Sequence, residues 1–363
     1  MAYATTTQLN TEIAARKAGD AALKKTIDAL TLRVVSLEAR MTALEAAVTN
    51  AEARISLLEG PPVEPVVRPW PLPVTTREAV VGPGDVQALI DSQPDGTLIR
   101  FAPGTYTVTK AVNLRGRSNL ILDFGGAIII NTAIPADLPT SYLASTFFWY
   151  WYEPKPSHIT IRNLRIEGRH AGDTLHPGEF AAGLHAMGGS YLELDNVYGT
   201  RLFGDLVTLN ENPDHVWIHG CSTGTVGRNN VSVVCASDVL VEDCDFGSAG
   251  YCGFDIEPEF GSIAGASNIV FRDNTVVSWR NSFFSMDGTD AGKPLSDITI
   301  SRNTCGSLLT VAGGTIGRAR PQRVTFEDNI GSGLLKFQHC DGVTVRRNGT
   351  ATVSVVDCTG VVQ

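Results

Sequence analysis

Two periodicities divide the chain. Between Leu23 and Leu58, apolar residues stand at Leu23, Ile27, Leu30, Val34, Leu37, Met41, Leu44, Val48, Ala51, Ile55 and Leu58. Steps of four and three alternate, which is a heptad seam. It predicts a coiled-coil helix with Ile27, Val34, Met41, Val48 and Ile55 at position a. Carried backwards, the frame meets Leu9 and Ile13 but also Arg16 and Asp20, so the coil loosens there. From about residue 76 the period falls to two, the mark of strands. Between them lies GPPVEPVVRPWPLPV (60–74), whose prolines stop a helix and favour extended chain. The division is therefore a stalk at 1–59, a linker at 60–75 and a body at 76–363.

The body repeats one pattern. SNLILDFGG (118), SHITIRNLRIEG (157), SYLELDNVYGT (190), DHVWIHGCSTG (214), SDVLVEDCDFG (237), SNIVFRDNTVVS (267), SDITISRNTCG (296), QRVTFEDNIGS (322) and DGVTVRRNGTA (341) align. Each has a polar pair, then apolar-x-apolar, then a polar turn. A second short strand precedes the next copy: GLHAM (183), LVTLN (206), VSVVC (231), FDIEP (254), FSMDG (284), LTVAG (309) and LKFQH (335). A constant strand signature at a variable spacing means loops of different length on a stacked scaffold. The fold expected is all-β, a single-stranded right-handed parallel β-helix preceded by an α-helical coiled coil. Three residues after the second apolar position stand Cys221, Cys244, Asn274, Asn303, Asn329 and Asn348. Stacked at one corner, the asparagines can satisfy turn backbone, and the cysteines are small buried thiols rather than halves of disulfides.

Composition narrows the function. The net charge is −9, and residues 1–60 carry seven basic and seven acidic side chains, so the excess lies in the rest of the chain. A nucleic-acid surface is not expected. No apolar run reaches the roughly 18 residues of a membrane span, and MAYATTTQLN lacks the start of a signal peptide.

Candidate chemistry centres on YCGFDIEPE (251–259), where Asp255, Glu257 and Glu259 alternate with apolar residues. With Phe254 and Ile256 inward, the outward column of second strands reads His185, Thr208 with Asn210, Ser232, Asp255 with Glu257, Ser285 with Asp287, Thr310, and Lys336 with Gln338. Coils stack about 4.8 Å apart, so Glu257 and Asp287 become neighbours, and Asp255 lies roughly 6.5–7 Å from Glu257 along its strand. Asp255, Glu257 and Asp287 are the candidate catalytic set, since glycoside hydrolysis uses paired carboxylates and crowding raises the pKa of one. No cofactor is required, although the same oxygens suit Ca²⁺, and solvated acids on an exposed sheet remain the alternative. The loop PADLPTSYLASTFFWYWYEPKP (135–156) offers Trp149, Trp151 and Tyr152 for stacking on sugar. With His185 and Glu259 these are the candidate glycan contacts; packing within the flank or between subunits is the alternative. GRHAGDTLHPGEFAAG (168–183) carries His170, Asp173, His176 and Glu179, whose spacing matches no zinc signature.

Three resemblances add to this. RVVSLE (33–38), RMTALE (40–45) and RISLLE (54–59) place Arg33, Arg40 and Arg54 at g and Glu38, Glu45 and Glu59 at e. They resemble the Arg-h-x-x-h-Glu pattern of three-stranded coiled coils, which implies a parallel homotrimer, whereas the a and d residues alone lean towards a dimer. GDVQALIDSQPDGTLIRFAPGTYTV (84–108) resembles the capping helix and first strands of the pectate-lyase-like superfamily. The polygalacturonase elements Asn-x-Asp, Asp-Asp, Gly-His-Gly and Arg-Ile-Lys are not present as a set, nor is the pectate lyase arginine motif, so neither activity carries over. Stalk, linker and β-helix together resemble a bacteriophage tail spike or minor tail protein. That implies a virion tail tip in contact with the host surface, with cell-wall polysaccharide and other tail or baseplate proteins as partners. It leaves open glycan binding, depolymerisation by a hydrolase or lyase, and a purely structural role.

Overall fold

The computed structural model describes residues 69–138, 141–149, 154–171, 180–258, 264–288, 293, 295–307, 310–314 and 320–362, together with Arg16 and Lys24. The heptad seam, with Arg33, Glu38, Arg40, Glu45, Arg54 and Glu59, lies outside the described residues. All the described strands lie within residues 69–363.

Among the described residues every strand pairing is parallel, and strands stack in chain order. This is a parallel β-helix. Each coil opens on the apolar-x-apolar strand, such as Ala236–Glu242, Ala266–Arg272 or Leu295–Ser301. Val239 and Val241, Ile269 and Phe271, and Ile298 and Ile300 face the core and are fully buried. The separate ten-stranded sheet includes Leu184–Met187, Val207–Asn210, Val231–Val233, Cys252–Ile256 and Ser282–Gly288. The repeat pattern predicts two strands per coil; the structure has a third between them, for example Asp245–Ala249 and Thr275–Trp279. The pattern does not reveal it because its inward residues are few: Phe246 and Val276 are buried, but Ser248, Val277 and Ser278 are not.

The polar pairs have a backbone cause. Asn119, His158, Tyr191, His215, Asp238, Asn268, Asp297 and Arg323 take φ between 50° and 58°, and Gly342 takes 70°. One residue in the left-handed region turns the chain into each first strand. Asn, Asp and Gly accept this readily. His158, Tyr191 and His215 do so while stacking ring on ring, with centroids 4.4 and 4.6 Å apart.

The expected corner ladder is present. Asn303 Oδ1 accepts from Asn274 N and Nδ2, both at 3.0 Å, and Asn303 Nδ2 donates to Phe271 O and Asn329 Oδ1, both at 2.9 Å. Asn329 repeats the arrangement onto Asn348. All seven cysteines are thiols, six of them buried. Asn303→Ala leaves the buried Asn274 backbone N–H without an acceptor and takes from Asn274 Nδ2 one of its two bonds, the other being to Val241 O, so a loss of about 2 kcal/mol is expected. The denaturation midpoint measures it; a loss below about 0.5 kcal/mol would show that the ladder does not hold the corner.

The outward face of the first strands carries a second ladder. Arg100, Asp123, Arg162, Asp195, His219, Glu242 and Arg272 stack on successive coils, basic and acidic in turn. Asp123 takes Arg100 at 2.8 Å and Arg162 at 2.9 Å, and Glu242 takes Arg272 at 2.6 Å. Opposite charges on adjacent strands favour this register over a slipped one.

The helix Val86–Asp91 begins on an Asp85 cap and buries Val86 and Ile90 in the core. Thr97–Phe101 and Gly104–Val108 come next as strands.

Candidate functional site

The site lies on the outward face of the ten-stranded sheet. Thr208 pairs with His185 and Ser232, Ser232 with Asp255, and Asp255 with Ser285. To this point the register is the one expected. The next partner is Val311, not Thr310. Thr310 turns inward between Phe284 and Leu335, while Val311 is outward and 39% exposed. Alternation in LTVAG favoured the opposite parity, and stacking between the inward residues of neighbouring coils overrides it.

The column is not solvated. Asp255 is 4% exposed and His185 wholly buried. Side chains from the loops cover it: Phe180, Arg228 and Val234 line one pocket with Asp205, Thr208, Asn229, Ser232, Asp255 and Glu257. That pocket encloses about 310 Å³ including its mouth. Alternation places Glu257 on the same face as Asp255, and Glu257 is exposed. Asp205 enters from the turn before Val207–Asn210. Its two oxygens accept from Asn229 N at 2.7 Å and from the Thr208 hydroxyl at 2.8 Å.

Two environments therefore meet in one cleft. Burial, then the charges of Glu257 and Asp205, push the Asp255 carboxyl up to about 8, against a hydrogen bond from Ser285 and the pull of Arg228. Burial also raises Asp205. At neutral pH Asp255 holds a proton beside the exposed carboxyl of Glu257. Two carboxyl groups set apart in this way are suited to opposite roles in proton transfer.

The remaining candidates divide. Asp287 follows Met286, which pairs with Ile256, so it sits one coil beyond Glu257. It is half-buried and does not line the pocket. Trp149 is not a sugar platform. It is 1% exposed and packed in the core, and its Nε1 donates to Gly188 O at 2.9 Å. The strand Phe147–Trp149 alternates a core ring, an outward ring and a core ring, which the sequence reads as one aromatic loop. His185 is likewise no surface contact. Tyr142, Phe148 and Phe180 enclose its ring at 5.3–5.6 Å, and burial lowers its pKa to about 4. Trp151, Tyr152 and Glu259 lie outside the described residues, as do Asp173, His176 and Glu179. His170 is buried beside Phe203. Among the described residues, no group of three or more His, Cys, Asp or Glu side chains is arranged to hold a metal ion.

Asp205, Arg228 and Phe180 are pocket residues that the alternation did not reveal. A signal existed for Asp205: it stands three residues before Thr208, as Asn229 does before Ser232 and Cys252 before Asp255.

No family model matches the chain, and no curated protein does. Among solved structures it is similar to the family 28 exopolygalacturonase of Yersinia enterocolitica (12% identity, 76% of this chain and 74% of that one, TM-score 0.43). It is similar also to a hyperthermoactive exopolygalacturonase of Thermotoga maritima (12%, 76% and 86%, 0.45). A third is the surface adhesin PfbA of Streptococcus pneumoniae (11%, 76% and 85%, 0.38).

Proposed function

We propose that the chain is a polysaccharide depolymerase on a parallel β-helix, hydrolysing glycan in the pocket of Asp255 and Glu257. One observation carries this: a buried Asp255 that keeps its proton to about pH 8 lies two residues along the strand from an exposed Glu257. Asp255 would protonate the leaving oxygen. Glu257 would activate water or attack the sugar. Arg228 and Asp205 set the field around them, and Phe180 forms an apolar wall for the sugar ring.

The biological setting belongs to the same proposal. The heptads and the proline linker support a trimeric virion tail component that carries this body to a host cell-wall polysaccharide. Three copies on one stalk would turn weak single contacts into avidity. Sedimentation equilibrium of the full chain should give three times 38.8 kDa; a monomer or dimer mass would remove the trimer from the reading.

A second reading is glycan binding without cleavage. The small pocket favours it: its enclosed space is about 20 Å³, far below the roughly 300 Å³ and more of ordinary ligand sites. Incubating the purified protein with host cell-wall polysaccharide separates the two. New reducing ends support the hydrolase, and unsaturated products indicate a lyase. Retention without products supports the binder. If the protein neither retains nor cleaves any wall glycan, both readings fail and a purely structural tail role is left.

A further inference from the structure

A cleft on a different face of the body has the chemistry of a saccharide site. Leu240 and Val270 lie side by side on adjacent first strands, outward and partly exposed, and form its floor. At one end Asp238 accepts from Asn268 Nδ2 at 2.6 Å. At the other stands Arg272, held by Glu242. Trp70 forms the wall. The cleft encloses about 450 Å³ including its mouth, more than the acidic pocket.

Trp70 belongs to WPLPV, the last part of the sequence's proline-rich segment, whose function the acidic pocket does not explain. Its ring meets His215 edge-on at 4.9 Å, and its indole N–H has no acceptor in the protein. The indole nitrogen is itself buried, so its N–H is a donor left without a partner beside the cleft.

We propose that this cleft binds one or two pyranose units of an uncharged glycan. A pyranose has apolar C–H faces and a rim of hydroxyls. Leu240, Val270 and Trp70 match the faces; Asp238, Asn268 and Arg272 match the rim. Phosphorylated ligands fit poorly, because Asp238 lines the cleft and Glu242 already neutralises Arg272. A peptide adding as a strand has no free edge here, since both first strands are paired on each side. The site would hold the chain of a long polymer while another segment reaches the acidic pocket. It does not depend on cleavage there.

The test uses the full protein, ¹⁵N-labelled, and the indole N–H signal of Trp70, assigned by its loss in Trp70→Phe. The probes are D-glucose, L-rhamnose and N-acetyl-D-glucosamine as methyl glycosides. At least one should shift that signal in a saturable way. Trp70→Ala and Asn268→Gly should each weaken it at least fivefold, followed by saturation-transfer signals of the sugar. Glycine suits position 268 because φ there is +53°, so the turn survives while the amide is lost. Glu257→Gln should leave this binding unchanged, and Trp70→Ala should leave hydrolysis of short oligosaccharides unchanged. If none of the probes shifts the Trp70 signal, or if binding is unaltered in both variants, the proposal is overturned. A change of oligomer mass in Trp70→Ala would also overturn it, by assigning the cleft to subunit contact.

Discussion

Glu257→Gln is expected to lower the release of reducing ends a hundredfold or more, with folding unchanged. Removal of a general base or nucleophile costs at least this much. The side chain is exposed at the pocket mouth, so the amide fits without repacking. Asp255→Asn should cost a similar factor through loss of the acid. The pH dependence carries the sharper test. If Asp255 acts in its protonated form, activity falls as pH rises through about 8, where its proton leaves. The residual activity of Asp255→Asn should lack that alkaline limb. Asp287→Asn should cost less than about tenfold, since Asp287 lies outside the pocket. Full activity in Glu257→Gln would end the hydrolase reading. An equal hundredfold loss in Asp287→Asn would move the centre one coil along.

What the sequence disclosed and what it withheld have different physical origins. Ile269 with Phe271 and Ile298 with Ile300 are read directly, because an inward pair on a strand must be apolar whatever surrounds it. The Asn274–Asn348 ladder was legible for a similar reason: one residue type recurs at one offset and has one use there. The alternating column Arg100, Asp123, Arg162, Asp195 was also in the sequence. It passes unnoticed because each residue alone is an ordinary outward charge, and only the stack gives it meaning. Burial of Asp255 was not legible. It depends on side chains from elsewhere in the chain, Phe180 and Arg228, closing over an outward position, and alternation reports which face a residue is on but not what covers that face. Trp149 failed for the same reason. An aromatic run reads as a surface platform until the neighbouring coil, through Gly188, is seen to take its N–H.

Asp255→Asn should also make the protein more stable, by an amount that grows with pH. Unfolded, this carboxyl ionises near its ordinary 3.8; folded, it keeps its proton to about 8. A raised carboxyl pKa means that the native state binds a proton the unfolded state has released. Its contribution is fully present below about pH 4 and is lost as pH rises towards 8. The full shift, from 3.8 to about 8, corresponds to at most about 6 kcal/mol. Relaxation of the pocket and water entry reduce that by about half, so about 2–3 kcal/mol is expected. Asparagine never ionises, and so it escapes this loss. Near pH 4 the two proteins should unfold at similar denaturant concentrations. Near pH 8 the variant should be the more stable. Asp205 is raised by burial in the same pocket and its charge acts on Asp255, so the two titrate together and the difference includes any change in Asp205 when its neighbour is replaced. A constant difference across this range would mean that Asp255 is not held protonated by the fold, and the assignment of the acid would fall with it. A variant both more stable and inactive would show instead that the buried carboxyl is kept at a cost to the fold, as a catalytic acid is and a structural one is not.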